Sequence, residues 1–130
     1  KKGKDAGSLR LSYPMRGTTV AYFGVEDGNM CQGIEIENRA GTNVSAPGEG
    51  VVIYCGERGE YGFVVDIDHG NGFVSRLTHL ADVTLELNQR VFAGDAVGKL
   101  AESERSGKKP RLHYELLIDG VPYNPLYYLE

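Results

Sequence analysis

The sequence of 130 residues lacks tryptophan, has only two cysteines and contains no apolar run close to the ~20 residues that a membrane-spanning helix needs. We therefore expect no membrane span in this chain. No CxxC pair is present, so Cys31 and Cys55 predict neither a redox motif nor a zinc knuckle. A disulfide in an exported domain and two free thiols are both compatible with this pattern.

An excess of basic residues is also missing, since 14 lysines and arginines stand against 18 acidic residues, for a net charge of −4. Binding to nucleic acid depends on neutralised phosphates, so this balance argues against a nucleic-acid partner. At this length the chain is expected to form one domain with a proper core. Residues 1–12 are expected to be a flexible linker or the remnant of a preceding segment, and 13–130 the folded domain. The chain begins at Lys1 without a signal peptide, so we expect a piece of a longer or processed protein.

Helical periodicity is scarce, and the 18 glycines separate short runs of β-type residues. Regular spacing of short strands between turn signals predicts an all-β domain with an antiparallel sheet of sandwich-like or barrel-like form. A single helical turn is expected at 125–129. The predicted strands cover 18–23, 32–37, 50–55, 62–68, 73–78, 96–100 and 112–119.

The strongest hairpin signal is Asn71-Gly72, which stands between two alternating runs at 63–68 and 73–78. Both residues tolerate positive φ, as a tight two-residue turn requires. Gly120 marks a second turn.

The segment that begins at Arg111 is the most informative about function. In a strand, Arg111, His113 and Glu115 share one face, while Leu112 and Tyr114 share the other, which is expected to be buried. A polar row backed by an apolar row is how a sheet presents a site. A His-x-His pair here could bind a metal with one imidazole and move protons with the other, but Arg111 is permanently cationic and cannot be a ligand.

Several landmarks follow one another in a specific order, and together they resemble the LytM-type (M23) zinc metallopeptidase domain of bacterial cell-wall hydrolases. The similarity runs from about residue 13 to 129. It implies the LytM fold, with a groove over the central sheet, and a family whose substrates are peptide bridges or stems of peptidoglycan. The landmarks are Cys31-Gln32-Gly33-Ile34-Glu35, Asn71-Gly72, Thr78-His79-Leu80, Arg111-Leu112-His113 and Tyr123-Asn124-Pro125.

The resemblance also implies a role for each site position. In the family an H-x-x-x-D segment and the second His of H-x-H bind zinc, while the first His of H-x-H and a further His assist the bound water and the oxyanion. Here the first ligand position holds Cys31, the Asp position holds Glu35, and the first His of H-x-H is Arg111. His113 matches the third ligand and His79 matches the further catalytic histidine. The architecture is therefore expected to persist with a degenerate zinc site.

The residues at the zinc positions allow two interpretations, one with a bound metal and one without. Thiolate, carboxylate and imidazole all bind zinc, so a Cys31/Glu35/His113 site is conceivable. Four residues of straight strand span ~13 Å, so Gly33 would have to allow a bend or Cys31 would have to lie on a loop. Arg111 would place a cation near Zn²⁺, whereas beside Glu35 it would form an ion pair without metal. We expect no cofactor, with zinc as the alternative.

Each histidine also has a purely structural interpretation. His69 is expected to be structural because it lies at the hairpin turn, His79 could end a strand, and His113 could simply be polar surface. The tyrosines are numerous enough to line a binding groove, yet they are also ordinary core residues.

The leading functional hypothesis is a non-catalytic LytM-like domain of the bacterial cell envelope, on the outer side of the membrane. The resemblance implies that its groove, with His79, Arg111, Glu35 and His113, binds a partner such as a cell-wall amidase, another envelope protein or peptidoglycan. The first alternative is an active zinc endopeptidase that cleaves peptidoglycan peptides with Cys31, Glu35 and His113 as ligands. The second is a glycan- or peptide-binding module that localises a larger protein.

Overall fold

The computed structural model describes residues 9–130, which form an all-β domain with two 3₁₀ turns, at Gly59–Tyr61 and Pro125–Tyr127. No helix in this part of the chain is long and apolar enough to cross a membrane. The strands are β1 (Thr18–Ala21), β2 (Gly24–Glu26), β3 (Asn29–Cys31), β4 (Ile34–Glu37), β5 (Asn43–Ser45), β6 (Gly50–Glu57), β7 (Phe63–Gly70), β8 (Phe73–Ala81), β9 (Arg90–Val91), β10 (Ala96–Leu100), β11 (Arg111–Ile118) and β12 (Val121–Tyr123).

Ten of these strands form one antiparallel sheet with β11 near its centre. The main path runs β1-β4-β11-β8-β7-β6-β9, while β12 pairs with β11 and the β5–β10 pair joins β8. β2 and β3 form a separate two-stranded sheet. The predicted all-β, antiparallel fold is confirmed.

The core lies on one face of the large sheet and follows from the alternation along β11. Leu112, Tyr114 and Leu116 are fully buried, as the strand pattern predicted. Burying such a side chain contributes about 1.5–3 kcal/mol, so this face holds β11 in place. A second, smaller apolar cluster is distinct from the main core; its buried members are Leu11, Phe73, Leu116, Ile118 and Tyr128.

Both predicted tight turns are present. Asn71 and Gly72 have φ values of 54° and 85° between β7 and β8, and Asp119 and Gly120 have 53° and 83° between β11 and β12. Positive φ at both central positions matches the right-handed twist of the flanking strands. The predicted turn at 125–129 corresponds to the 3₁₀ turn Pro125–Tyr127, which the side chain of Asn124 caps.

The predicted strand 18–23 differs from the structure. β1 ends at Ala21, and Gly24, with φ of 122°, begins a separate hairpin that continues to Cys31. The predicted strand 32–37 likewise begins only at Ile34. The chain therefore leaves the large sheet after β1 and returns to it with β4.

The N-terminal boundary also differs from the prediction that 1–12 is a linker. Residues 1–8 lie outside the described residues. Leu11, however, is buried, its N–H donates to Tyr128 O at 3.0 Å, and its carbonyl accepts from Glu130 N at 2.9 Å. The packed domain thus includes Leu11, two positions before the expected boundary at Tyr13, because Leu11 forms backbone hydrogen bonds with Tyr128 and Glu130.

Candidate functional site

A groove crosses the face of the sheet opposite the main core. Its floor is formed by β4 and β11, and its walls are the β2–β3 hairpin on one side and the 101–110 loop on the other. A cleft of about 500 Å³ lies beside the hairpin, and one of about 400 Å³ lies beside the loop. Glu35 and His79 line both clefts. The polar residues singled out in the sequence therefore face one shared groove.

The register of β4 against β11 brings the central residues together. Arg111 lies opposite Glu37, and His113 lies opposite Glu35. Residues directly opposite each other in an antiparallel pair project from the same face, within reach of their side chains. Arg111 accordingly donates through Nη1 to Glu35 Oε1 at 3.3 Å and through Nε to Glu37 Oε2 at 3.2 Å. The expected Arg111–Glu35 ion pair is present, and Glu37 is a second acceptor.

His113 is held by carboxylates at both ring nitrogens. Nδ1 lies 3.2 Å from Glu35 Oε2, and Nε2 lies 2.8 Å from Glu115 Oε2. Since both partners accept hydrogen bonds, both nitrogens donate and the ring is an imidazolium. Burial alone would lower the pKa of His113, but the hydrogen bonds to Glu115 and Glu35 outweigh it and raise the pKa to about 9.

The two carboxylates respond in the opposite direction. The hydrogen bond from His113 lowers the pKa of Glu35 in spite of partial burial, and Arg111 adds to the effect. Burial would raise the pKa of Glu115, but His113 and Arg76 lower it below its ordinary value. Near neutral pH this part of the floor therefore holds charged groups of both signs in contact.

The ion pairs continue beyond the positions that the sequence indicated. Glu115 Oε1 accepts from Arg76 Nη1 at 3.3 Å, and Arg76 donates to both oxygens of Asp66, at 3.0 and 3.1 Å. We call the resulting row of side chains across β4, β11, β8 and β7 the charge row. Its members are Glu37, Arg111, Glu35, His113, Glu115, Arg76 and Asp66.

Three members of the charge row were missed in the sequence. Glu37 stands two residues after Glu35 on the same strand, so the same alternation that paired Arg111 with His113 could have found it. Asp66 and Arg76 belong to the predicted hairpin, but their pairing depends on a register shift between Asp68 and Gly70. No pattern in the neighbouring sequence predicts that register shift.

His79 reaches the groove through an irregularity of β8. The β7–β8 register shifts between Phe63 and Val65, opposite this part of β8, and His79 has a φ of 60°. Such bulges re-aim a side chain, and a non-glycine residue at positive φ costs of order 1 kcal/mol or more. Nδ1 of His79 lies 2.6 Å from Thr78 Oγ1. Burial, followed by the nearby charge of His113, lowers the pKa of His79, so its imidazole is neutral at pH 7.

Cys31 lies at the end of β3, where the chain crosses from the hairpin to the large sheet. A Cβ on Gly33 would lie 2.0 Å from the carbonyl oxygen of Tyr114, so only glycine allows this close crossing. The crossing is the bend that a shared Cys31/Glu35 site would need, and both residues line the same cleft. Cys31 Sγ donates to Gly33 O at 3.2 Å, Cys55 Sγ donates to Leu85 O at 3.3 Å, and both thiols are free.

As arranged in this structure, the donor set at the family's zinc positions does not fit a zinc ion. To bind zinc, Cys31 would have to be a thiolate, Glu35 would need a free carboxylate oxygen, and His113 would need an unprotonated ring nitrogen. Burial raises the pKa of the Cys31 thiol, Glu35 uses its two oxygens on Arg111 and His113, and His113 carries protons on both nitrogens. Across residues 9–130, no three His, Cys, Asp or Glu side chains form a group that could hold a metal.

His69 has a structural role, as expected. Its Nδ1 lies 2.8 Å from the carbonyl of Glu49, and its Nε2 lies 2.7 Å from Ser75 Oγ, which in turn lies 2.9 Å from the hydroxyl of Tyr114. Ser75 and Tyr114 are fully buried on the core face. This hydrogen-bonded chain satisfies buried polar groups and has no access to the groove.

The model of peptidase family M23 matches residues 29–125. The chain belongs to peptidase family M23. DD-carboxypeptidase/endopeptidase Mpg of Neisseria meningitidis is 36% identical over 94 residues, which cover 72% of this chain and 21% of that protein. Murein hydrolase activator NlpD of Escherichia coli is 31% identical over 119 residues, covering 90% of this chain and 30% of that protein. The chain thus spans less than a third of either relative.

A solved structure supports the same assignment. A protein of Pseudomonas aeruginosa described as an M23 peptidase superposes with a TM-score of 0.81 at 29% identity, covering 94% of this chain and 51% of that one. The M23 relatives thus include a protein named as a peptidase and one named as an activator of hydrolases.

Proposed function

We propose that this domain is a non-catalytic M23 domain of the bacterial cell envelope that acts by binding, and that its partner is a cell-wall amidase or a similar murein hydrolase. The observation that carries the proposal is the charge row. Residues at the positions of two zinc ligands, Glu35 and His113, are engaged with each other and with Arg111 and Glu115.

Among residues 9–130, the groove offers only part of the set of groups that the family uses for peptide hydrolysis. Positioned general acids and bases contribute roughly 10²–10⁴-fold to such reactions. Arg111 cannot accept a proton, and both nitrogens of His113 already carry one. His79 is the one neutral imidazole among the described groove residues, and its Nδ1 lies 2.6 Å from Thr78 Oγ1.

The relatives support a binding role on the outer side of the membrane. NlpD of E. coli, similar over 90% of this chain, is by name a murein hydrolase activator. If this domain also acts on murein, it lies outside the cytoplasm, in the periplasm or on the cell-wall side of the membrane. The proposed action is to hold a hydrolase through the groove.

The alternative is an active zinc endopeptidase with Cys31, Glu35 and His113 as ligands, and the similarity to Mpg favours it. That alternative requires Arg111 to leave Glu35, and His113 to give up a proton that two carboxylates stabilise. Both rearrangements oppose metal binding, which is why we favour the binding role.

A dye-release assay on purified peptidoglycan tests the proposal. The domain is assayed alone, with added zinc, and together with purified bacterial cell-wall amidases; the His113→Ala variant reports any contribution of the zinc positions. We expect no release by the domain alone and stimulated release by an amidase. Zinc-dependent release by the domain alone, abolished in His113→Ala, would establish the endopeptidase instead. Tight binding to intact sacculi without any effect on an amidase would indicate a wall-binding module.

A further inference from the structure

Large apolar side chains are exposed on the hairpin side of the groove; Met30 belongs to the β2–β3 hairpin, Tyr22 precedes it, and Tyr61 ends the first 3₁₀ turn. Tyr22, Met30 and Tyr61 line the larger cleft and are 60%, 52% and 48% exposed. Val25, the cross-strand partner of Met30, is 73% exposed. The hairpin pairs with no other strand of the described domain, and an isolated two-stranded hairpin is marginally stable in water. Apolar and aromatic groups gathered at one groove are typical of a surface that another chain covers.

The rim of the same groove carries carboxylates that remain unpaired. Within residues 9–130 none of them forms an ion pair; they are Glu26, Asp27, Glu60, Glu102 and Glu104. Arg105 is the one cation that lines either cleft outside the charge row, and its Nη2 donates to the carbonyl of Lys109. The charges of the floor are paired with one another, and Lys108 and Lys109 of the same loop line neither cleft. The unpaired charges that an incoming molecule meets in the two clefts are therefore chiefly those of the acidic rim.

We infer that the groove receives a lysine- or arginine-rich, partly apolar segment of the partner protein, with Tyr22, Met30 and Tyr61 supplying apolar contacts and the rim carboxylates selecting positive charge. The inference rests on the proposed function and names the chemistry of the partner at that site. Charge complementarity favours a basic protein segment over a peptidoglycan stem peptide in the groove. The acidic rim attracts the basic segment and repels the carboxylates of the stem peptide. Apolar contacts at the hairpin add affinity that charge alone does not supply.

The test measures the binding of two short labelled peptides by fluorescence anisotropy. In one, lysine alternates with leucine; in the other, glutamine replaces every lysine. We expect the lysine peptide to bind at least about tenfold more tightly, with an affinity that falls as NaCl is raised. The rim variant Glu102→Gln/Glu104→Gln should bind it about five- to tenfold more weakly. The matched control Glu57→Gln/Glu86→Gln removes the same charge from exposed residues outside the groove and should bind like the unmodified domain.

The apolar part of the inference has its own variant. Met30→Ser should weaken the lysine peptide several-fold at every salt concentration, because the contact it removes is not screened. Equal binding of the two peptides, equal affinity of rim and control variants, or absence of salt-sensitive binding would each overturn the inference. Preferential binding of a soluble muropeptide would overturn it in favour of a wall ligand.

Failure of this inference and failure of the proposed function give different results. If an amidase is stimulated equally by the unmodified domain and by Glu102→Gln/Glu104→Gln, the binding role stands and the rim is not the recognition element. If the rim-dependent peptide binding holds but no amidase is stimulated, the basic segment belongs to another class of partner and the amidase proposal fails.

Discussion

The floor and the rim of the groove are both rich in acidic residues, but they use them differently. On the floor every carboxylate contacts at least one cation, and Glu115, at 5% exposure, contacts two. On the rim, Glu102 and Glu104 contact no cation among the described residues. The difference separates two roles of charge: floor charges hold strands together, and rim charges stay available to another molecule. Substitutions that disturb only one of the two regions test this division.

The largest effect is expected where the floor is most buried. Glu115→Gln removes the acceptor charge from both His113 and Arg76, leaving two cations close together. Breaking a buried pair from one side costs about 3 kcal/mol, so the free energy of unfolding should fall by that order in urea denaturation. The rim control Glu60→Gln should change it by less than about 0.5 kcal/mol. Equal losses in the two variants would erase the distinction between floor and rim.

Stability should also fall on the alkaline side. His113 has a folded-state pKa raised from 6.5 to about 9, so its contribution is fully present below pH 6.5 and is lost as pH rises through about 9. The pKa values of Glu35 and Glu115 are lowered, so their contributions are present above the ordinary glutamate value of 4.5 and are lost as pH falls. Unfolding experiments should show a loss on the order of 2 kcal/mol between pH 6.5 and 9. In the His113→Gln variant, the free energy of unfolding should no longer fall between pH 6.5 and 9. If it still falls, a titratable group other than His113 causes the loss.

Arg111→Ala should have a smaller effect. The side chain is 33% exposed, so solvent screens its pairs with Glu35 and Glu37, and we expect a loss of about 1–2 kcal/mol. Thermal unfolding measures it, with Arg39→Ala as a control at an exposed arginine. An unchanged melting temperature combined with weaker partner binding would mean that Arg111 serves an intermolecular contact instead of the floor.

The smallest stability change is expected at the rim. Glu102→Gln/Glu104→Gln should alter the free energy of unfolding by less than about 0.5 kcal/mol, or raise it slightly because like charges are removed. Urea denaturation of the variant and the unmodified domain measures the difference. A loss above 1 kcal/mol would show that the rim, like the floor, is part of the folding energetics.

Much of the fold could be predicted because its signals are local. The alternation of Leu112 and Tyr114 with His113 identified the buried face of β11, and Asn71-Gly72 identified the turn between β7 and β8. The features of the fold that were not predicted depend on contacts between residues far apart in the sequence. Leu11 docks against Tyr128 near the opposite end of the chain, and the pairing of Asp66 with Arg76 depends on a bulge.

Some contacts of the candidate site could be predicted from the sequence, and others could not. The pairing of Arg111 with Glu35 could be anticipated because family landmarks placed their strands side by side. The occupation of both His113 nitrogens could not, because it depends on the exact approach of Glu35 and Glu115 to one ring. The roles of Cys31, His79 and the groove residues in binding or chemistry stay predictions.

The central claim is that the charge row takes the place of a metal site, and zinc binding measures this most directly. Isothermal titration of the chelator-treated domain with zinc is compared with the triple variant Cys31→His/Glu35→Asp/Arg111→His. We expect no stoichiometric zinc binding by the unmodified domain and a clear gain in zinc affinity for the triple variant. Stoichiometric zinc binding by the unmodified domain, lost in His113→Ala, would contradict it.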